Sequence, residues 1–82
     1  MKKVAVIIVN YNGEKYLSTL LGSIFKYPSK IESEIIFIDN CSKDNSVRRV
    51  KENYPQVKIL AQQENLGFAA GNNVGLQYAL DN

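Results

Sequence analysis

VAVIIVNYNG, residues 4–13, decides how the chain is read: six apolar, mostly β-branched residues run without alternation into a polar turn. Such runs suit strands covered on both faces, as in a parallel sheet flanked by helices. The arrangement returns at EIIFIDNCS (34–42), and again at VKIL (57–60), which leads to the glycine-rich tract ENLGFAAGNNVG (64–75). In sheets of this kind ligands bind beyond the carboxyl ends of the strands, where all three polar clusters would gather.

Between these runs the periodicity is helical. Leu17, Leu20, Leu21 and Ile24, with Phe25 adjoining, form one buried face, and Asn12 with Gly13 supplies a cap and a tight turn before it. Pro28, with Ser29 and Lys30, closes this first helix. A shorter helix over 46–53 follows the capping cluster Asp44, Asn45 and Ser46; it turns Val47 and Val50 inward and Arg48, Arg49 and Glu52 outward, and Tyr54-Pro55 stops it. A last helix over about 68–80 has Val74, Leu76, Ala79 and Leu80 available for packing.

The order is β-α-β-α-β-α, an α/β class, and right-handed crossovers set the strands side by side as 3-2-1. Strand 4–9 then lies at an edge that a complete doubly wound sheet would cover. Residues 1–82 are therefore expected to be the amino-terminal part of a larger domain, incomplete at the C-terminus. A bare apolar edge is an aggregation hazard, so a homo-oligomer formed through strand 4–9 is expected as well.

Composition narrows the function. Ten basic and eight acidic residues leave a formal charge of +2, too slight to argue for nucleic acid or a membrane surface. Lys2 and Lys3, and the group Arg48, Arg49 and Lys51, read as solvated faces. Cys41 is the only cysteine, so no internal disulfide is available and a reducing compartment is the default. The run 4–9 is far short of the roughly 20 residues that span a bilayer, and it lacks a signal-peptide pattern. A cytoplasmic location is expected, with peripheral attachment at the inner face of the membrane left open. The chain has no histidine, which removes Ser-His-Asp and Cys-His catalysis and any histidine-held metal. Neither G-x-x-x-x-G-K-[ST] nor G-x-G-x-x-G is present.

Several residues carry chemistry. Asp39 stands where a buried strand emerges; its carboxylate suits a nucleobase imide or a ribose hydroxyl, and equally a turn or helix cap. Tyr11, beside Asn10, offers a flat face for stacking a base, although a tyrosine there more often packs half-buried. Together they are stronger, because adjacent parallel strands would bring both to one pocket edge. Asn65, Asn72 and Asn73 surround a glycine-rich helix start whose amides favour diphosphate, the alternative being a cap and plain helix polarity. Glycines 67, 71 and 75 recur every four residues, which allows close approach of a ligand or of a sheet. Cys41 has no basic neighbour in sequence to make it nucleophilic, and Ser42 and Asp44 read as turn and cap residues.

Taken together, VAVIIVNYNGEKYLSTLLGSI, EIIFIDNCSKDNS and ENLGFAAGNNVGLQYA resemble the amino-terminal half of the inverting nucleotide-sugar glycosyltransferases of family 2, with the Rossmann-like GT-A fold. The ENLGFAAGNN form most resembles their rhamnosyltransferase-like branch. The resemblance implies that Asn10, Tyr11 and Asn12 line the base pocket and that Asp39 and Asn40 border the base. Asn65, Gly67 and Asn72 would then flank a UDP- or dTDP-linked sugar, although many relatives carry an arginine where this chain has Asn72. It also implies a glycan or lipid-linked acceptor and a divalent metal, Mg or Mn. In the family the Asp-x-Asp metal motif follows a further strand beyond this helix, and the catalytic base and the acceptor-binding half come later. Asp81-Asn82 is not that motif, so no catalytic residue or metal ligand is expected here and the chain alone should be inactive.

Two other readings share the element order. A receiver-like or flavodoxin-like signalling module would also carry an aspartate after a strand, but receivers need an acidic pair near the first strand's end, where this chain has Asn10 and Asn12. A purely structural α/β piece would self-associate without any ligand.

Overall fold

The structure, a computed structural model, describes residues 3–26 and 32–81. Lys2, and the loop assigned to Pro28, Ser29 and Lys30, lie outside the described residues. The elements run β1 (Lys3–Asn10), α1 (Glu14–Lys26), β2 (Glu32–Asp39), α2 (Ser46–Asn53), β3 (Lys58–Ala61) and α3 (Gly67–Asp81). The three strands form one parallel sheet in the order β1-β2-β3, with β1 at an edge. Register pairs Val4 with Ser33 through Asn10 with Asp39, and Asp39 in turn with Ala61, so all three strands end level. Backbone bonds carry the pairing one step further: Asn40 N–H donates to the Asn10 carbonyl at 2.8 Å and Gln62 N–H to the Asp39 carbonyl at 2.8 Å.

Because side chains alternate across a strand, β2 serves two layers at once. Ile35 and Phe37 point to the α1 and α2 side, where they bury with Leu17, Leu21, Val50 and Val57 and pack against Ile8, Ile24, Tyr54 and Ile59. Each fully buried aliphatic or aromatic side chain there contributes about 1.5–3 kcal/mol, so this face holds most of the stabilisation. Phe25 stacks on Tyr54 with ring centroids 5.7 Å apart and ties the end of α1 to the start of the β3 connection. Leu20, expected on the buried face of α1, is exposed instead, because Leu17 and Leu21 already fill the contact.

The opposite face of β2, Ile36 and Ile38, is covered by α3, and the cover is made by glycine. A Cβ at Gly75 would lie 2.6 Å from Ile7 Cγ2 and 2.8 Å from Ile38 Cδ1; one at Gly71 would lie 3.0 Å from Val9 Cγ1. The glycine spacing therefore serves close packing of helix on sheet. Leu76 and Leu80, expected to pack, are exposed in consequence: α3 lies so near the sheet that its small residues form the contact and its leucines face away. None of the described helices is long and apolar enough to cross a membrane.

Candidate functional site

The level strand ends collect the polar residues at one edge of the sheet. Asn10 and Asp39 are register partners, both buried, and Asn10 Nδ2 donates to Asp39 Oδ1 at 2.9 Å. Tyr11 follows directly, with its ring half-exposed, so an aromatic ring and a carboxylate separated by a long stretch of chain share one strand-tip region.

Asp39 is only 2% exposed, and its carboxylate is held from three directions. Besides Asn10, the Ser42 hydroxyl donates to Oδ1 at 2.7 Å and the Ser42 amide to Oδ2 at 2.9 Å. The turn that permits this runs through Cys41 at φ 62°, a left-handed conformation unusual for a side-chain-bearing residue. Ser42 Oγ also accepts from the Asn12 amide at 2.9 Å and from Asn10 Nδ2 at 3.2 Å. Asn12, itself at φ 51°, accepts the Lys43 amide on its Oδ1 at 2.8 Å. The loops after β1 and β2 are thus laced into one unit. Ser42, read from sequence as a turn residue, is its hub. The Asp-x-x-Ser spacing was the available signal, since a carboxylate readily accepts an amide a few residues on.

A second lacing joins the starts of α1 and α2. The Glu14 amide donates to Asp44 Oδ2 at 3.0 Å and the Asn45 amide to Glu14 Oε1 at 3.0 Å, so each helix start is satisfied by an acid from the other. Asp44 also takes the Ser46 amide at 3.0 Å and the Ser46 hydroxyl, while Arg49 pairs with Glu14. The cap of α1 therefore comes from across the molecule, and Asn12 joins the loop lacing in its place. The amide of Asn45 and the guanidinium of Arg49 hold the Glu14 carboxyl below its usual range. Burial pushes Asp44 up, but the Ser46 hydroxyl and the amides of Glu14 and Ser46 outweigh it and leave its carboxyl lowered too. A depression of 360 Å³ lies over this pair, bordered by Asn12, Glu14, Lys15, Ser18, Asp44 and Arg49.

On the other face Asn40 links the strand tip to α3. Its Nδ2 donates to the Gly67 carbonyl at 3.1 Å, and its buried Oδ1 has no hydrogen-bond partner among the described residues. Asn65 Oδ1 accepts the Gly67 amide at 2.8 Å and so acts as a local cap for the α3 start, with Gly67 at φ 84° completing the turn. Asn72 sits half-buried on α3 one turn beyond Phe68. The structure thus gathers Asn10, Asn12 and Asp39 into one bonded cluster, with Tyr11 next to it in the chain. Asn40 and Gly67 are joined at its rear, and Asn65 and Asn72 stand on the α3 side. Among the described residues no group of three or more His, Cys, Asp or Glu converges to hold a metal ion.

A parallel three-stranded sheet flanked by helices gathers its polar loops at the level strand ends, where α/β sheets bind ligands. The family model for glycosyl transferase family 2 matches residues 5–82, and the chain belongs to that family. It is 37% identical over 84 residues to the poly(ribitol-phosphate) β-N-acetylglucosaminyltransferase TarS of Staphylococcus aureus, covering 96% of this chain and 14% of TarS. An uncharacterized glycosyltransferase of Haemophilus influenzae is 31% identical over 71 residues, which are 87% of this chain and 24% of that protein. The fold agrees. The crystal structure of S. aureus TarS 1–349 matches with a TM-score of 0.79 and 33% identity, over 94% of this chain and 24% of that one. The mannosyltransferase PcManGT of Pyrobaculum calidifontis, in complex with GDP-Man and Mn2+, matches with a TM-score of 0.75 and 28% identity, over 92% and 24%. The chain is a transferase-family α/β unit of GT-A type that spans a quarter or less of these relatives.

Proposed function

We propose that the chain forms the base-holding part of the donor site for a UDP- or dTDP-linked sugar, in an inverting glycosyltransferase of the rhamnosyltransferase-like branch that serves a glycan or lipid-linked acceptor. One observation carries this reading: the register pairing of Asn10 with Asp39, which sets a buried, oriented carboxylate at the strand tip that the exposed Tyr11 directly follows in the chain. An aromatic face and an aimed acceptor are the two elements a planar base needs, one for stacking and one for its edge. Asn40, Asn65, Gly67 and Asn72 border the sugar-diphosphate side in this reading. Catalytic transfer would be a direct displacement in which the acceptor hydroxyl forms a bond to the anomeric carbon as the bond to the diphosphate breaks, with a carboxylate taking the hydroxyl proton. We propose that the 82-residue chain, which spans a quarter or less of the relatives it matches, transfers no sugar by itself. A divalent metal, Mg or Mn, belongs to the proposal for the complete enzyme, supported by the Mn2+ in the P. calidifontis neighbour. Assembly of an envelope polysaccharide is supported by the likeness to TarS, and cytoplasmic placement at the inner face of the membrane accords with such a role. We also propose self-association through the free edge of β1.

Titration of the chain with UDP and with dTDP, followed by backbone NMR, tests the donor site. Shifts confined to the neighbourhood of Tyr11, Asp39 and Asn65 are expected; no response at millimolar nucleotide would overturn the reading.

A further inference from the structure

The loop lacing makes separate demands on two neighbouring residues after β1. Asn12 stands at φ 51°, a left-handed conformation that few side-chain-bearing residues hold and that asparagine tolerates better than most. Its side chain is also needed as an acceptor, since Oδ1 takes the Lys43 amide at 2.8 Å. At the next position only glycine fits. A Cβ on Gly13 would run into Asn10 Oδ1, and Asn10 is held in place by its bonds to Asp39 and to Ser42. The geometry therefore calls for Asn-Gly, the dipeptide most open to spontaneous deamidation, because no side chain shields the glycine nitrogen. Asn12 is exposed to the water that the reaction consumes.

We infer that Asn12 is a site of spontaneous modification and that its bonds to the β2 loop are the lock on that reaction. The Gly13 amide nitrogen bonds to Asn12 Cγ, the Cγ–Nδ2 bond breaks, and the proton of the glycine nitrogen leaves with Nδ2 as ammonia. Water then opens the five-membered imide: cleavage at Cγ gives aspartate, and cleavage at the backbone carbonyl carbon gives isoaspartate. No oxidant or reductant takes part. Ring closure requires the glycine nitrogen and Asn12 Cβ to lie on the same side of the bond between Cα and the carbonyl carbon. In the left-handed conformation, with ψ at roughly +30 to +60°, they stand on opposite sides. The folded turn is therefore unreactive. Two bonds must let go first: the Asn12 amide from Ser42 Oγ at 2.9 Å, and Asn12 Oδ1 from the Lys43 amide. Deamidation thus makes each opening of the loops permanent. Aspartate keeps an acceptor for Lys43, whereas isoaspartate lengthens the backbone by one carbon and loses the turn. The inference holds whatever ligand the strand tips take.

The test incubates the 82-residue chain in mildly alkaline reducing buffer and follows deamidation at residue 12 by peptide mass spectrometry, with isoaspartate resolved by chromatography. The same chain in urea supplies the unlocked rate. Folded, it is expected to react at Asn12 about tenfold more slowly or slower still, since two hydrogen bonds must open. Ser42→Ala, which removes the acceptor of the Asn12 amide, should raise the folded rate by about three- to tenfold, and Ser42→Thr, which keeps the hydroxyl, should return it to wild type. Asn45, followed by Ser46 and making no side-chain cap bond, is the internal reference. General loosening would speed both asparagines, whereas loss of the lock speeds Asn12 alone. Should Ser42→Ala fail to fold, wild type in urea below its unfolding midpoint takes its place, and Asn12 should then react ahead of the loss of circular dichroism. A folded rate equal to the urea rate, or a rate unchanged in Ser42→Ala, would overturn the lock. An Asn12 that stays intact in urea would overturn the modification site itself.

Discussion

Cys41 is the residue on which the base-side loop turns. At φ 62° it brings the Ser42 amide back onto Asp39, and a side chain with a Cβ carries a cost of about 1–2 kcal/mol in that conformation. Replacing it by glycine relieves that cost but frees the unfolded chain, by roughly 0.5–1 kcal/mol, so a small net gain is left. Cys41→Gly should therefore raise the urea midpoint slightly. Cys41→Val adds a branch at Cβ where the left-handed region tolerates branching least, and should lower stability by about 1–2 kcal/mol. Equal stability of the valine variant would show that the turn is not held as described. Asp39 and Tyr11 were legible as a pair from the sequence because both end apolar runs that a parallel sheet must align. Ser42 was not, since its importance comes from bonds to Asn10 and Asn12, some thirty residues away, that only the fold brings within reach.

Among the elements, strands and helices could be read closely; α2 occupies the very span 46–53 that its caps and Tyr54-Pro55 mark out. The buried face of α3 could not, because apolar periodicity identifies large side chains and this contact is made of absent ones. Two glycines in helices make the point testable. Gly22 in α1 has nothing within 4 Å of where a Cβ would stand, so Gly22→Ala should gain the propensity difference of about 0.5–1 kcal/mol. Gly75→Ala enjoys the same propensity gain but drives a methyl into Ile7 Cγ2, a stiff branch on a strand residue, and overpacking of this kind costs about 1–3 kcal/mol. A net loss is expected for Gly75→Ala, read from paired thermal melts, and a gain in both variants would show that α3 does not sit as close to the sheet as drawn. The crossed caps of α1 and α2 give a pH dependence with a definite sign. Folded Glu14 and Asp44 both titrate below their ordinary values, so their contribution is fully present above the unfolded carboxylate range and is lost as pH falls through their lowered folded values. Asp44→Asn should flatten the fall in stability between about pH 6 and about pH 2, and Asp44→Ala should cost about 1–2 kcal/mol at neutral pH through the two helix starts it serves. An unchanged acid slope in urea titrations of Asp44→Asn would dismiss the crossed caps as a source of stability.

For the molecule as a whole, covering is uneven. β2 is enclosed on both faces and both edges, whereas β1 shares only one edge, and Val4 there is exposed. On the α3 side Phe68 and Leu80 are each 73% exposed, and Leu76 and Leu66 add to the apolar surface. Unpaired backbone groups along a mostly apolar strand template further pairing, and natural sheets suppress it by placing lysine on such edges. Lys3 places one charge at the start of the strand, and the run from Val4 to Val9 beyond it carries none. Self-association of the isolated chain is the expected consequence, with slow amide exchange along β1 that speeds up on dilution. Val4→Lys adds a second charge beside Lys3 at the start of that edge, on a residue already exposed, and should shift sedimentation toward monomer while leaving the melting curve of the dilute protein in place. A wild-type chain that sediments as monomer at high concentration, with fast exchange along β1, would remove the edge as an interface. A Val4→Lys chain that still associates would move the interface to the outward apolar surface of α3.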